Sequence, residues 1–502
     1  MPLPSQTLPN PQQFVTHHQV IIGSEKIVFT VTAGETYLYD DAGNPVGSMF
    51  SYAYVKDTAP ESHRPVIFIT GGGPGSASHF LHVGFVGPWS VSTKRVAPGN
   101  NGGPDVVPPF SLVDNPNSLL DVADLVFIDP IGTGYSRAIG CGKGEQFWGV
   151  DEDLESLAQF IQLWLTKNGR WNSAKFFLGE SYGGTRAALI PDILGGGPSY
   201  PGLLRAISLN GVIVLVNTLG WPLGAAGIGP IWTAATDFPN QAAAAWYHNR
   251  IDRRGRTLQA FYEEVTQFAM TQYADALRKE ASKALTPAER AAVVAKLAEF
   301  TGIGAGAFDQ KLALPREEFS KLLLADQGLD IGMYDSRFTF PHDRNRGDVV
   351  ADDAALGRSF PILTGAFLEM EHARLKVNMD RPFVAIHWRD LLSSWNYARR
   401  TDWSGSSGAH GSDRSAPAQH GDNAEDLATA MRRNPRLYAM VATGYYDLLM
   451  SPAQARFATE RAGVPKERLI LEPFEAGHEP YLDAGVARLA DDIRAMIRKA
   501  SD

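Results

Sequence analysis

Apolar residues fall into two patterns along this chain. The first is a set of short solid runs: Val66-Ile67-Phe68-Ile69, Leu125-Val126-Phe127-Ile128, Phe176-Phe177-Leu178, residues 204–216, 437–443 and 468–471. Runs of this length bounded by turn residues predict strands buried on both faces. The second is helical spacing. Leu154, Leu157, Phe160, Ile161 and Trp164 lie on one face of residues 151–167, with Asp151 and Glu152 at its start. Val486, Leu489, Ile493, Met496 and Ile497 do the same near the end, with Arg498 and Lys499 where a helix dipole favours cations. Residues 20–32 and 48–55 alternate apolar and polar, which predicts antiparallel strands at a sheet edge, and residues 1–18 read as a loose leader. Strands alternating with helices predict an α/β fold: a mostly parallel central sheet flanked by helices.

The pattern changes after Leu219. Residues 261–279, 288–300 and 317–324 read as polar-faced helices, Thr286 being a plausible N-cap with Glu289 three residues on. No comparable strand run follows until about Val384. The chain therefore divides into an N-terminal part of the core (1–219), a mainly helical cap insertion (220–370) and a C-terminal part of the core (371–502). Trp232, Trp246, Tyr247 and His248 are candidates to line a pocket under the cap, or more simply to pack it. Residues 401–423 are rich in Gly, Ser, His and Asp and predict a surface loop; its His410 and His420 lack the spacing of metal ligands.

Composition narrows the function. With 502 residues and a net charge of −9, the chain lacks the basic footprint of a nucleic-acid binder. It has no run of 18 apolar residues, so no membrane span is expected. Cys141 is the single cysteine, which rules out an internal disulfide and a cysteine-rich metal site. No charged segment followed by an apolar one opens the chain, so no secretory signal is expected, and the compartment stays open. A homodimer is compatible with all of this.

The candidate chemistry sits at strand ends. Phe177-Leu178 runs into Gly179-Glu180-Ser181-Tyr182-Gly183, a G-x-S-x-G sequence. A serine on such a strand-to-helix turn is held in strained backbone with its hydroxyl exposed, and Cβ atoms two residues either side would collide with neighbouring backbone. The helix start behind it favours developing negative charge. Ser181 is thus read as the nucleophile of an α/β-hydrolase-type enzyme. The run at 66–69 enters Gly71-Gly72-Gly73-Pro74-Gly75-Ser76. A phosphate cradle would need a following Lys or a G-x-G-x-x-G helix start, so an oxyanion hole fits better. In such folds an acid and then a histidine follow the serine, each after a core strand. Asp447 closes the apolar run at 437–443, and His478 is the one histidine of twelve beyond it. Neither a metal nor a cofactor is called for.

Four segments together resemble the serine carboxypeptidase family, in its bacterial branch without disulfides: Gly72 to Gly75, Asp129 to Ser136, Gly179 to Gly183 and Ala476 to His478. The resemblance implies an α/β-hydrolase fold, Ser181 as nucleophile, His478 as base, Asp447 as its orienter, and an oxyanion hole from the N–H groups of Gly73 and Tyr182. It also places Gly71, Gly72, Glu180 and Glu479 around the substrate. The expected activity is cleavage of a peptide or amide bond through an acyl-enzyme, the alternative being a small-molecule esterase, amidase or acyltransferase with the same triad. Two positions depart from the family pattern. Gly71 replaces an Asn that helps hold the substrate's C-terminal carboxylate, and Glu479 replaces an apolar residue, often Met, near the leaving group. Glu180 could donate to a carboxylate when neutral and would repel it when ionised. A free acid is therefore expected to be a poorer substrate than an amide, an ester or an amine-bearing leaving group.

Overall fold

The computed structural model describes residues 8–57, 63–91, 108–196, 204–216, 218–220, 228–397, 399 and 423–501. Nine strands make the main sheet: β1 (Gln13–Ile22), β2 (Glu25–Tyr39), β3 (Pro45–Lys56), β4 (Val66–Thr70), β5 (Asp124–Asp129), β6 (Lys175–Glu180), β7 (Gly211–Leu215), β8 (Tyr438–Gly444) and β9 (Leu469–Phe474). Their spatial order is β1-β2-β3-β5-β4-β6-β7-β8-β9, and the two-residue strand Arg137–Ala138 adds to β3. Pairing is antiparallel from β1 through β3 to β5 and parallel from β5 to β9.

The solid apolar runs are explained by two covered faces. Along the parallel strands, successive side chains point to opposite sides. Ile67, Ile69, Leu125, Phe127, Phe176, Leu178, Ile213 and Met440 enter one core, packed with the C-terminal helix Val486–Ser501. Val66, Phe68, Val126, Ile128, Phe177, Val212, Val214 and Val441 enter the other, with helices α1 (Val150–Lys167) and α2 (Tyr182–Gly195). This is the α/β-hydrolase fold: a mostly parallel sheet flanked by helices.

A third apolar cluster lies off the sheet, built by the helices Pro230–Tyr247, Leu258–Phe268, Ala274–Ala281, Pro287–Thr301 and Arg316–Leu322. Thr286 caps the fourth of these and forms a reciprocal capping box with Glu289. Helix Leu356–Met370 packs differently: Leu356, Ile362, Leu363, Phe367 and Met370 join the sheet's own core.

Several expectations need correction. β1 starts at Gln13, inside the expected leader, because a strand that buries only Val20 and Ile22 carries almost no apolar signature. β7 begins at Gly211 rather than 204. Helix Pro230–Tyr247 falls in the expected helical insertion but was not singled out, since Pro239 and a run of alanines blur its periodicity. Residues 261–279 are interrupted by a π-turn, Ala269–Tyr273, which keeps Phe268 and Tyr273 in the same core. A small ribbon, Leu329–Ile331 with Thr339–Pro341, lies where no strand was expected. Trp246 is buried against Phe261, and Trp232 stacks on Phe457, so both pack structure rather than line the pocket. Tyr247 packs against Tyr446, and His248 Nε2 meets the Ser336 carbonyl. His410 and His420 lie outside the described residues. Among the described residues, no helix is long and apolar enough to cross a membrane.

Candidate active site

Ser181 stands between β6 and α2 with φ 56° and ψ −123°, left-handed backbone that a non-glycine residue adopts only when its surroundings impose it. The impositions are visible. The Ser181 N–H donates to the Leu215 carbonyl at 2.9 Å, and its carbonyl accepts from Gly184 at 2.7 Å. A Cβ on Gly179 would sit 1.8 Å from the Gly183 oxygen, and one on Gly183 2.7 Å from the Gly71 oxygen. The turn therefore closes only with glycine at both positions.

Asp447 and His478 follow β8 and β9. His478 Nδ1 lies 2.7 Å from Asp447 Oδ2, while the N–H groups of Leu449 and Met450 donate to Oδ1 at 2.8 and 3.2 Å. The Asn240 side chain donates to the Asp447 carbonyl at 2.6 Å, tying the acid loop to helix Pro230–Tyr247. A carboxylate acceptor places the imidazole proton on Nδ1 and leaves a lone pair on Nε2. His478 is 5% exposed, and its Nε2 has no hydrogen-bond partner. Ser181 and His478 line one cavity of about 50 Å³, but no hydrogen bond joins them. Burial alone would lower the imidazole's proton affinity; Asp447, Glu180 and Glu479 outweigh it and raise the pKa above 6.5.

The glycine-rich loop brings Gly72 and Gly73 to the cavity wall. The backbone N–H groups of Gly73 and Tyr182 make no hydrogen bond to another described residue. The Tyr182 side chain turns away and packs edge-on against Trp395. Gly71 does not line the cavity: its carbonyl accepts from Arg186 Nη1 at 2.7 Å, and a Cβ there would lie 2.4 Å from the Ala77 oxygen. On the loop's far side, Asp129 Oδ1 accepts from both the N–H and the hydroxyl of Ser78 at 2.8 Å. His387 N–H donates to the Gly75 carbonyl at 2.7 Å.

Glu180 and Glu479 both face this cavity, beside Phe80, Tyr334, Leu356, Ile386 and Trp388. Burial pushes Glu180 up to about 7, against the pull of a hydrogen bond from Tyr481 and the nearby His478. Burial and the Glu180 charge push Glu479 up to about 8, against Ser359 and His478. Arg186, Tyr334, Tyr481, Ile386 and Trp388 were not singled out from sequence. Arg186 had a signal, as the one cation in the apolar helix after the nucleophile. The others lie on separate segments that only the fold brings together.

Residues 29–214 match the model of the serine carboxypeptidase family. The match takes in the glycine-rich loop, the Asp129–Ser136 segment and the nucleophile turn; Asp447 and His478 lie beyond it. A pheromone-processing carboxypeptidase KEX1 from Fusarium vanettenii is 27% identical over 140 residues, which is 28% of this chain and 20% of the fungal one. Among solved structures, the proline iminopeptidase of Mycobacterium smegmatis aligns at 12% identity with a TM-score of 0.35, over 97% of this chain and 99% of that one. An enantioselective mutant of an Aspergillus niger epoxide hydrolase aligns at 10% identity with a TM-score of 0.36, over 94% and 78%. The serine carboxypeptidase match and the site geometry support a serine hydrolase.

Proposed function

We propose that this chain cleaves an amide or peptide bond by acyl-enzyme chemistry at Ser181, as a serine carboxypeptidase-like hydrolase. One observation carries the reading: an Asp447-oriented imidazole presents an unpartnered Nε2 in the cavity lined by a strained, turn-held serine. His478 takes the Ser181 proton as Oγ attacks the carbonyl, and the resulting oxyanion falls to the N–H groups of Gly73 and Tyr182. Each such donor contributes about 3 kcal/mol of transition-state stabilisation. The proton then passes from His478 to the leaving group, and water releases the acyl group by the same steps in reverse roles. The hydrogen bond from Ser181 to His478 Nε2 forms as substrate binds, as catalytic hydrogen bonds commonly tighten only then.

A second reading, a small-molecule amidase or esterase, is favoured by two observations. The cavity is small, and the carboxyls on its wall, Glu180 and Glu479, offer a C-terminal carboxylate no positive partner. The experiment compares one N-blocked dipeptide with its C-terminal amide and ester, alongside fluorophosphonate labelling of Ser181. Preference for the free acid supports the carboxypeptidase; faster turnover of the amide or ester selects the second reading. Unchanged turnover by Ser181→Ala overturns both.

A further inference from the structure

Two carboxyls face the cavity beside Ser181, and among the described residues the one basic side chain on its wall is His478. Glu180 is 4% exposed, and one of its oxygens accepts from the Tyr481 hydroxyl. Glu479 Oε1 is buried without a hydrogen-bond partner. Among the described residues, no Lys or Arg lines this cavity. Arg337, in an adjoining cavity that Glu479 also lines, is already held by Asp335 and Asp483. Burying acidic groups without a counter-charge is costly, so a fold that keeps them beside the reacting atoms gains when a cation arrives. His478, itself nearly buried with an open Nε2, adds a second unpartnered polar group on the same wall.

We infer that Glu479, backed by Glu180, receives the ammonium group of a small amine-bearing leaving group during cleavage at Ser181. The inference rests on the serine-hydrolase reading and names its substrate class. Position supports it: Glu479 directly follows His478, the residue that protonates the departing nitrogen, so a charge on that fragment comes within reach. The wall beside the carboxyls is apolar, formed by Phe80, Leu356, Ile386 and Trp388, which suits the alkyl part of an aminoalkyl group. The carboxyls also hold their protons to about 7 and 8, so an arriving ammonium completes their ionisation. A free carboxylate would meet the opposite field.

The test uses n-propylammonium chloride, sodium propionate and n-propanol as probes, at equal concentration and matched ionic strength. Fluorophosphonate labelling of Ser181 is timed with each, and the melting temperature of the Ser181→Ala chain is measured with each. Propylammonium is expected to slow labelling at least threefold more than propanol and to raise the melting temperature. Both effects should disappear in Glu479→Gln and in Glu479→Met. Best protection by propionate, no advantage of propylammonium over propanol, or an advantage that survives both replacements overturns the inference. If Ser181 resists labelling while the Glu479-dependent melting shift persists, the cation site stands and the hydrolase reading falls.

Discussion

Arg186 closes a two-point ion pair with Asp153, Nε to Oδ2 at 2.6 Å and Nη2 to Oδ1 at 3.3 Å, with the arginine side chain 1% exposed. The pair joins α1 to α2, and the remaining Nη1 reaches the Gly71 carbonyl. One buried guanidinium therefore links the helix behind the nucleophile to the loop carrying the candidate oxyanion donor Gly73. Its face also covers the Tyr182 ring at 5.0 Å.

Removing that guanidinium strands the Asp153 carboxylate in the core. Arg186→Met is expected to destabilise the fold by about 3–5 kcal/mol, the usual cost of breaking a buried pair from one side. Arg186→Met combined with Asp153→Leu should cost markedly less, because no charge is left unanswered. Urea unfolding of the three proteins checks this. A double variant no more stable than the single one would show that the pair does not account for the loss.

Much of this arrangement was legible in the sequence, and the reasons are local. Ser181 and the glycines around it announce a turn because the Gly179 clash is with Gly183, four residues on, although Gly183 itself is held by the distant backbone of Thr70 and Gly71. Asp447 and His478 follow from chain order, since each closes a strand of a parallel sheet. What sequence could not show is which loops face one another. Glu180, Glu479 and Tyr481 meet only because β6 and the segment after β9 end on the same side of the sheet, about 300 residues apart in the chain. Gly71 shows the opposite failure. It read as a position facing substrate, and the fold turns its carbonyl back to Arg186.

Asp447 fixes which nitrogen of His478 holds the proton. Asp447→Asn keeps the shape but can donate to Nδ1, which moves the imidazole proton to Nε2, where the lone pair is needed. kcat should fall on the order of 10⁴-fold, as for other triads changed in this way. Thermal unfolding should change little by comparison. Turnover against whichever N-blocked substrate proves best is the measurement, and a loss under tenfold would remove Asp447 from the mechanism.

Glu479 makes stability depend on pH with a definite sign. Its ordinary pKa is 4.5 and the fold raises it to about 8, so the native state binds the proton more tightly than the unfolded chain. Its favourable contribution is complete below pH 4.5 and is lost as pH rises to about 8. Glu479→Gln removes that dependence, so the variant's stability relative to the parent should climb across this window, by on the order of a few kcal/mol, and then level off. Glu479 keeps its proton to about pH 8, so it carries no charge where His478 titrates, and the acid limb of kcat/KM, which lies above pH 6.5, should move little in Glu479→Gln. Denaturant titrations at pH 4.5, 6, 7 and 8.5 test the first effect, and a pH–rate profile tests the second. Parallel stability curves for the two proteins would contradict the buried-acid account.

Gly71→Asn separates two ways of thinking about this site. By the resemblance alone, an asparagine at this position should supply a donor for a C-terminal carboxylate and improve turnover of free-acid peptides. The packing says otherwise. A Cβ at this position meets the Ala77 carbonyl oxygen at 2.4 Å, and that oxygen belongs to backbone that cannot rotate aside. Relief requires the loop from Gly71 to Ser78 to shift, which pulls Gly71 from Arg186 and Ser78 from Asp129. It also displaces Gly73 from the place where its N–H would meet the oxyanion. Since a misplacement of about 1 Å can cost on the order of 100-fold in rate, Gly71→Asn should lower turnover of the free acid, the amide and the ester alike. Fluorophosphonate labelling of Ser181 should slow with them, because that reagent uses the same oxyanion site. A selective gain on the free acid would mean that the loop adapts and that the missing asparagine alone sets the preference.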